Sequence, residues 1–161
     1  MEQAPPFAEL AAATNFSFLR GASHAADMVL RAGALGMAGI GIADRNTVAG
    51  VVRAWAAVKR GHEEGPLPPS FRLAVGSRLV FADETHDIIA YPATRRAWGR
   101  LTRLLTVGNR RAIKGECTLY WADLQAHITD IAGEMLLIAM DGDAAFLGAL
   151  QKLAPDSVWR A

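Results

Sequence analysis

Apolar positions in this chain alternate between short continuous runs and stretches with helical spacing. The continuous runs have strand length and are bounded by Gly, Pro or polar residues, so they predict buried or half-buried strands, over 7–13, 38–43, 71–81, 87–91, 134–140 and 157–160. The helical spacing predicts helices, over 24–35 capped by Ser23, 47–58 capped by Thr47, 94–107 capped by Thr94, a short one starting near 121–123, and 144–153. Strands and helices therefore alternate along the chain.

This alternation predicts an α/β fold with a mainly parallel sheet or barrel and helices outside it. One hairpin is expected, because only the polar turn 82–86 separates the third and fourth predicted strands. The segments 62–70 and 108–118 are predicted loops.

Residues 1–6 are predicted to be an N-terminal tail, and residues 7–161 one partial domain. The last predicted strand has only begun where the sequence stops, which would leave an open sheet edge. Natural domains usually cover such an edge, so we expect that a second copy of the chain can pair there and form a homo-oligomer.

Composition supports a globular domain, because 52% of the 161 residues are hydrophobic and 20% are charged. A net charge of +1 gives no overall electrostatic drive towards nucleic acid, so any basic surface must be local. The single cysteine, Cys117, cannot form an internal disulfide, and the N-terminus has no signal-peptide pattern. No apolar run approaches the roughly 20 residues of a membrane span. We therefore expect a cytoplasmic protein without a membrane segment.

One region of the chain is locally basic, in the helix predicted over 94–107 and the loop after it. Its members are Arg95, Arg96, Arg100, Arg103, Arg110, Arg111 and Lys114. The apolar residues of this helix recur on one face, so the arginines are expected to be exposed on the other. They are candidates for contact with the DNA backbone or with a neighbouring protein domain, and a solvated helix face is the alternative.

Four stretches carry a resemblance to a known family: FAELAAATNFSFLRGASH at 7–24, LGMAGIGIADRNTVAGVVRAW at 35–55, LAVGSRLVF at 73–81 and WGRLTRLLTVGNRRAIKGECTL at 98–119. In order and spacing they resemble the N-terminal PHP (polymerase and histidinol phosphatase) domain of error-prone bacterial C-family DNA polymerases, which are similar to the DNA polymerase III alpha subunit. The resemblance implies a PHP-type (β/α) barrel, of which this chain is an incomplete first part. The parent family is a DNA-directed nucleotidyltransferase of DNA replication and repair. Its polymerase domains would lie beyond Ala161, so no activity is expected of this chain alone.

In metal-binding PHP domains, strand ends present a His-x-His pair, an Asp-His pair and further Glu, His and Asp ligands. Such ligands hold divalent ions that activate water against a phosphoester. At the matching positions this chain has Ala11 and Ala13 for the His-x-His pair, Asp44 with Arg45 for the Asp-His pair, and Arg78 in the stretch where a carboxylate is expected. The resemblance therefore implies a degenerate site. No bound metal, no other cofactor and no catalytic residue are expected.

Two residues near this site allow different interpretations. Asp44 follows a predicted strand, where βα proteins place catalytic groups, but it could instead cap the next helix or pair with Arg45 as an internal substitute for the ion. His24 is a candidate residual ligand, and the alternative is a surface histidine in the first turn of a helix.

The preferred interpretation is a structural PHP-domain portion of an error-prone DNA polymerase used in damage-tolerant DNA synthesis. Its expected partners are the remaining polymerase domains or other proteins of the mutagenesis complex, with DNA reached only indirectly. One alternative is a stand-alone PHP-type metal-dependent phosphoesterase, built on residues such as Asp44 and His24. The other is a protein-interaction module of the mutagenesis complex.

Overall fold

The structure of the chain, a computed structural model, describes residues 6–131 and 133–161. The chain forms two compact units, Met1–Gly76 (unit 1) and Ser77–Ala161 (unit 2). No helix within the described ranges combines the length and the apolar character needed to cross a membrane.

Unit 1 consists of two successive strand–helix pairs and the start of a further strand. Its elements are β1 (Ala8–Ala12), α1 (Ala25–Ala34), β2 (Gly39–Arg45), α2 (Val51–Glu64) and the first part of β3 (Arg72–Leu79). β1 and β2 are parallel, with Ala8 opposite Gly39 and Ala12 opposite Ile42. This is the pairing expected when one helix connects two strands.

The core of unit 1 lies where β2 meets the two helices. Ile40 and Ile42 of β2 are buried together with Val29 of α1 and Val58 of α2, and α1 packs against α2. The first six residues of β2 are all buried, as expected for a short apolar run without alternation. β1 differs from the prediction of a buried or half-buried strand, since only Ala12 at its end is buried. Within unit 1 it has β2 as its strand neighbour, and most of its side chains stay uncovered.

The helix starts in unit 1 differ from those predicted. α1 begins at Ala25 with His24, not Ser23, as its N-cap, and no side chain caps it. α2 begins at Val51 after Gly50, while Thr47 accepts a hydrogen bond from the backbone N–H of Ala49 at 3.2 Å, in the turn before the helix. Ser23 and Thr47 have side chains that are preferred at N-caps. Ser23, however, lies one residue before the N-cap of α1, and Thr47 lies three residues before the N-cap of α2.

The end of α2 also differs from the prediction. The helix continues to Glu64, into the predicted loop 62–70, and stops at Gly65. Gly65 has a φ of 93°, in the left-handed region that glycine enters without the Cβ penalty of other residues. The left-handed glycine, rather than the following prolines, therefore marks the end of the helix.

Unit 2 contains a three-stranded antiparallel arrangement extended by one parallel strand. After the second part of β3 it has β4 (Ile88–Pro92), α3 (Arg95–Arg111), α4 (Trp121–Ile128), β5 (Met135–Ala139), α5 (Ala144–Leu153) and β6 (Val158–Arg160). β3 and β4 are antiparallel, with Ser77 opposite Ala90, which confirms the predicted hairpin. β5 is antiparallel to β4 and parallel to β6.

The prediction of a mainly parallel sheet is therefore wrong for unit 2, where the strands are mixed. A single crossover helix returns the chain to the end at which the previous strand began, and the next strand is then parallel. Two helices, α3 and α4, lie between β4 and β5, and they pack against each other. The second helix takes the chain back to the end of the sheet at which β4 finished. β5 starts from that end and therefore runs antiparallel to β4.

α3 begins as predicted but is one turn longer. Thr94 is its N-cap and accepts a hydrogen bond from the backbone N–H of Ala97 at 3.1 Å. The helix continues through Gly108, the first residue of the predicted loop, to Arg111. A Cβ at Gly108 would lie 2.5 Å from Cys117 Sγ and 2.7 Å from Leu119 Cδ2. This glycine therefore serves close packing and does not end the helix.

Candidate functional site

The best-defined polar cluster of unit 1 surrounds Asp44, near the carboxyl end of β2. Asp44 is fully buried. Its Oδ1 accepts hydrogen bonds from the backbone N–H of Thr14 at 2.7 Å and from the Ser17 hydroxyl at 2.6 Å, and its Oδ2 accepts one from the Thr14 hydroxyl at 2.8 Å. The carboxylate is thus held by the loop that follows β1.

The pairing of β1 with β2 creates this cluster. Because Ala12 lies opposite Ile42 in a parallel pair, Thr14 and Asp44, two residues further along each segment, lie at the same edge of the sheet. A Cβ built on Gly50, the N-cap of α2, would lie 2.6 Å from Asp44 Oδ2. The carboxylate is therefore close to a helix N-terminus, where a negative charge is stabilised.

An ion pair between Asp44 and Arg45, one of the alternatives that the sequence allows, is not formed. Arg45 is exposed, and no salt bridge joins it to an acid in the described ranges. Its backbone N–H instead donates to the Ser17 hydroxyl at 3.0 Å. Hydroxyl groups from the β1–α1 loop replace the guanidinium that the sequence suggested. Neither Thr14 nor Ser17 was predicted to belong to the site, although hydroxyl residues directly after a neighbouring strand are the signal that could have identified them.

The other positions of the expected site in unit 1 offer little chemistry. Ala11 is exposed and Ala13 is half-buried, and a methyl group has no ligand atom. Ala11 lines a mainly apolar cavity of about 770 Å³ between β1 and α1, whose charged residues are Glu9, Asp27 and Arg31. His24 is exposed at the N-cap of α1.

Arg78 belongs to β3 in unit 2. Its Nε donates to Asp87 Oδ2 at 2.7 Å, and both side chains are partly buried, with 30% and 21% of their surface exposed. The positive charge of Arg78 is therefore balanced by an acid next to the neighbouring strand, β4. No group of three His, Cys, Asp or Glu residues in the described part of the chain could hold a metal ion.

The predicted basic region lies on α3 and just after it, and its cations fall into two groups. In the first group, Arg96 pairs with Asp130 and Glu134, Arg100 pairs with Asp130, and Arg111 pairs with Asp123. The second group consists of Arg95, Arg103, Arg110 and Lys114, which are exposed and make no salt bridge with any described residue. The sequence prediction that the arginines are exposed holds best for the second group, while Arg100 is half-buried.

Arg111 and Asp123 form the best-oriented pair of unit 2. Two nitrogens of the guanidinium donate to the two carboxylate oxygens at 2.6 and 2.9 Å, and the guanidinium lies 4.8 Å from the centre of the Tyr120 ring. The hydrogen bonds from Arg111 lower the pKa of Asp123 below its ordinary value. Nearby, burial raises the pKa of the Cys117 thiol, so this cysteine has no activated thiolate.

Comparison with known proteins supports the fold described above. No protein-family model matches the chain. Among solved structures, a protein assigned as a metal-dependent phosphoesterase from Bifidobacterium adolescentis superposes with a TM-score of 0.63, at 15% identity, over 98% of this chain and 78% of its own. An amidohydrolase from Chromobacterium violaceum superposes with a TM-score of 0.52, at 14% identity, over 94% of this chain and 75% of its own. At these identities the superpositions show a shared fold alone, and that fold confirms the predicted α/β PHP-type architecture.

The sequence relatives are more specific. Error-prone DNA polymerases match at 50% identity in Brucella abortus, over 97% of this chain and 14% of the relative, and at 55% in Caulobacter vibrioides, over 76% and 11%. Error-prone DNA polymerase 1 of Rhizobium meliloti matches at 55%, over 85% and 11%. The chain is homologous to the N-terminal, PHP-type portion of bacterial error-prone DNA polymerases. It spans about one seventh of the length of these relatives, 14% in the longest of these matches.

Proposed function

We propose that this chain is a structural PHP-domain portion of an error-prone DNA polymerase that acts in damage-tolerant DNA synthesis, and that it binds no catalytic metal ion. The observation that carries the proposal is the environment of Asp44. This is the one acid at the positions where the family resemblance places the first metal ligands, and the β1–α1 loop donates three hydrogen bonds to its carboxylate.

The donor set does not fit a divalent ion. A cation needs lone pairs directed at it, whereas the Thr14 N–H and the hydroxyls of Thr14 and Ser17 direct hydrogens at the carboxylate of Asp44. Ala11 and Ala13 supply no ligand atom. Arg45, next in sequence, carries a permanent positive charge, which opposes a nearby dication. Each of these features favours a buried polar anchor over a metal centre.

The partners of the chain, in this proposal, are the remaining regions of the polymerase, since the relatives are much longer proteins in which this portion is 14% of the whole. The portion contributes scaffold and interdomain contacts in the cytoplasm. Other proteins of the mutagenesis complex are further candidate partners, through the same exposed surface.

Elemental mass spectrometry of the purified chain, before and after incubation with Zn²⁺ and Mn²⁺, tests this proposal. We expect far less than one ion per chain and no hydrolysis of p-nitrophenyl phosphate. A variant that restores the family pattern, Ala11→His with Ala13→His and Arg45→His, is the positive control and is expected to retain more Zn²⁺ than the native chain. One tightly held ion per native chain, together with phosphoesterase turnover, would establish the metal-dependent phosphoesterase instead.

A further inference from the structure

The two groups of cations on α3 occupy different angular positions around the helix. Residues rotate by roughly 100° each around an α-helix. On this basis Arg95, Gly99, Arg103, Thr106 and Arg110 fall within roughly 80° of one another, and we call them the outer strip. All five are exposed. The buried residues of α3, which include Leu101, Leu104 and Gly108, lie on the opposite side of the helix.

The salt-bridged arginines occupy the border between the buried face and the outer strip. Their acids come from elsewhere in unit 2, from α4 for Arg111 and from the segment before β5 for Arg96 and Arg100. Pairing there neutralises the cations nearest to the protein body. α3 itself has no acidic residue, so nothing on the helix offsets Arg95, Arg103 and Arg110 of the outer strip.

The outer strip has the chemistry of a surface for phosphate. It offers three guanidinium groups, while the Thr106 hydroxyl donates to the backbone oxygen of Thr102 at 2.8 Å, and Gly99 leaves open space beside them. It contains no aromatic or large apolar side chain of the kind that forms the centre of protein interfaces. Arg and Lys side chains are typical donors to nucleic-acid phosphates. Lys114, three residues after the end of α3, adds a further exposed cation.

The spacing of the strip also suits a nucleic-acid strand. Arg103 and Arg110 are seven residues apart, or roughly 10 Å along the helix axis at 1.5 Å per residue. Phosphates of one DNA strand follow each other at about 3.4 Å along the duplex axis. With α3 aligned along the duplex axis, the two guanidiniums would reach phosphates about three nucleotides apart. Both line a cavity of about 570 Å³, together with Thr106, Val107 and the side of Arg111.

We propose that the outer strip of α3, with Lys114, binds the phosphodiester backbone of DNA directly. In the structural role proposed above, DNA is reached only through other domains, so a direct contact goes beyond that role. The inference still rests on the proposed role, because the polymerase is what brings DNA to this chain. The salt-bridged arginines Arg96, Arg100 and Arg111 are excluded from the contact. They hold α3 to the rest of unit 2.

Fluorescence anisotropy with a short labelled DNA duplex, over about 50 to 200 mM NaCl, tests the proposal. The native 161-residue chain is compared with Arg103→Gln/Arg110→Gln, and with the matched control Arg60→Gln/Lys152→Gln, which removes the same charge from exposed positions on α2 and α5. Circular dichroism confirms that the three proteins melt alike. Because each phosphate contact contributes about 0.9 to the slope of log K against log salt, the strip variant should lose about two units of slope. The control variant should keep the native slope.

Three results would overturn the proposal: no salt-dependent binding by the native chain, equal losses in the strip and control variants, or tighter binding to a labelled polyglutamate peptide than to the duplex. The last result would identify an acidic protein as the partner of the strip. None of these results depends on metal content, so the metal analysis tests the proposed structural role independently.

Discussion

At the level of single residues, Asp44 has a position typical of a catalytic group and the surroundings of a structural one. Three donors from the β1–α1 loop are directed at a fully buried carboxylate. Such a carboxylate fixes the loop, because each donor would otherwise be buried without a partner.

Replacing Asp44 with Ala should therefore lower the free energy of unfolding by about 3 kcal/mol or more, since a buried donor left without its acceptor costs about 1–3 kcal/mol. The neighbouring substitution Arg45→Ala is the control. Arg45 is exposed, and a change at such a position is expected to stay within about 0.5 kcal/mol. Urea unfolding followed by circular dichroism measures both. Equal losses in the two variants would argue for an Asp44–Arg45 pair in solution.

At the level of elements, α3 contains two glycines with opposite surroundings. A Cβ at Gly99 would meet no atom within 4 Å, whereas one at Gly108 would lie 2.5 Å from Cys117 Sγ and 2.7 Å from the side chain of buried Leu119. The first glycine only weakens the helix, and the second allows the helix to approach the segment after it.

We predict that Gly99→Ala raises the free energy of unfolding by about 0.8–1 kcal/mol, the difference in helix propensity between the two residues. Gly108→Ala should lower it by up to about 2 kcal/mol, because overpacking costs about 1–3 kcal/mol and the same gain in propensity, about 0.8–1 kcal/mol, offsets part of that cost. Each variant is the control for the other, since both make the same substitution in the same helix. Thermal melts that shift in one direction for both variants would contradict this packing.

The Arg111–Asp123 pair links α3 to α4 and makes the stability of unit 2 depend on pH. Arg111 lowers the pKa of Asp123 in the folded chain, so the folded state binds fewer protons at this group than the unfolded state does. The resulting stability is present above the unfolded pKa of about 3.9 and is lost as the pH falls through the lowered folded pKa.

Asp123→Asn should cost about 1 kcal/mol or less at neutral pH, because Arg111 is one third exposed and solvent screens the pair. Below about pH 4 the variant should also lose less stability than the native chain, because Asn does not titrate. Urea midpoints of the native chain and the variant between neutral pH and pH 3 measure this difference. Asp141→Asn serves as the control, because Asp141 is exposed and makes no salt bridge within the described ranges. A variant at position 123 that keeps the native pH profile would rule out the linkage.

At the level of the whole molecule, the chain spans about one seventh of the length of its relatives, and its sheet edges are the feature relevant to association. In unit 1, β1 pairs with β2, and its residues from Ala8 to Ala11 are mostly exposed. A strand with an open edge can pair with another copy of itself.

We predict that the isolated chain self-associates at high concentration, as size-exclusion chromatography with light scattering would detect. Ala11→Lys places a charge on β1, which blunts strand pairing, and should raise the fraction of monomer. Ala126→Lys, the same change at an exposed position of α4, should leave the association unchanged. A native chain that stays monomeric at high concentration would contradict the prediction.

The sequence by itself determined the order of strands and helices, the β3–β4 hairpin, the Thr94 cap and the basic character of α3. These features depend on local periodicity and on capping residues within a few positions of each other, which a single chain displays directly. The similarity to error-prone DNA polymerases was likewise recognisable from the amino-acid sequences of four stretches. The predicted degeneracy of the metal site stays a prediction for elemental analysis to test.

The tertiary structure decided which groups meet. The donors to Asp44 lie 30 and 27 residues away in sequence. Glu134, which pairs with Arg96, lies 38 residues away from it. No local sequence pattern could assign these partners. The antiparallel direction of β5 follows from two helices packing together before it. Burial and hydrogen bonding between distant segments thus made Asp44 an anchor and left Arg95, Arg103 and Arg110 as the α3 cations without a salt bridge to a described residue, because those interactions exist only once the strands and helices have packed.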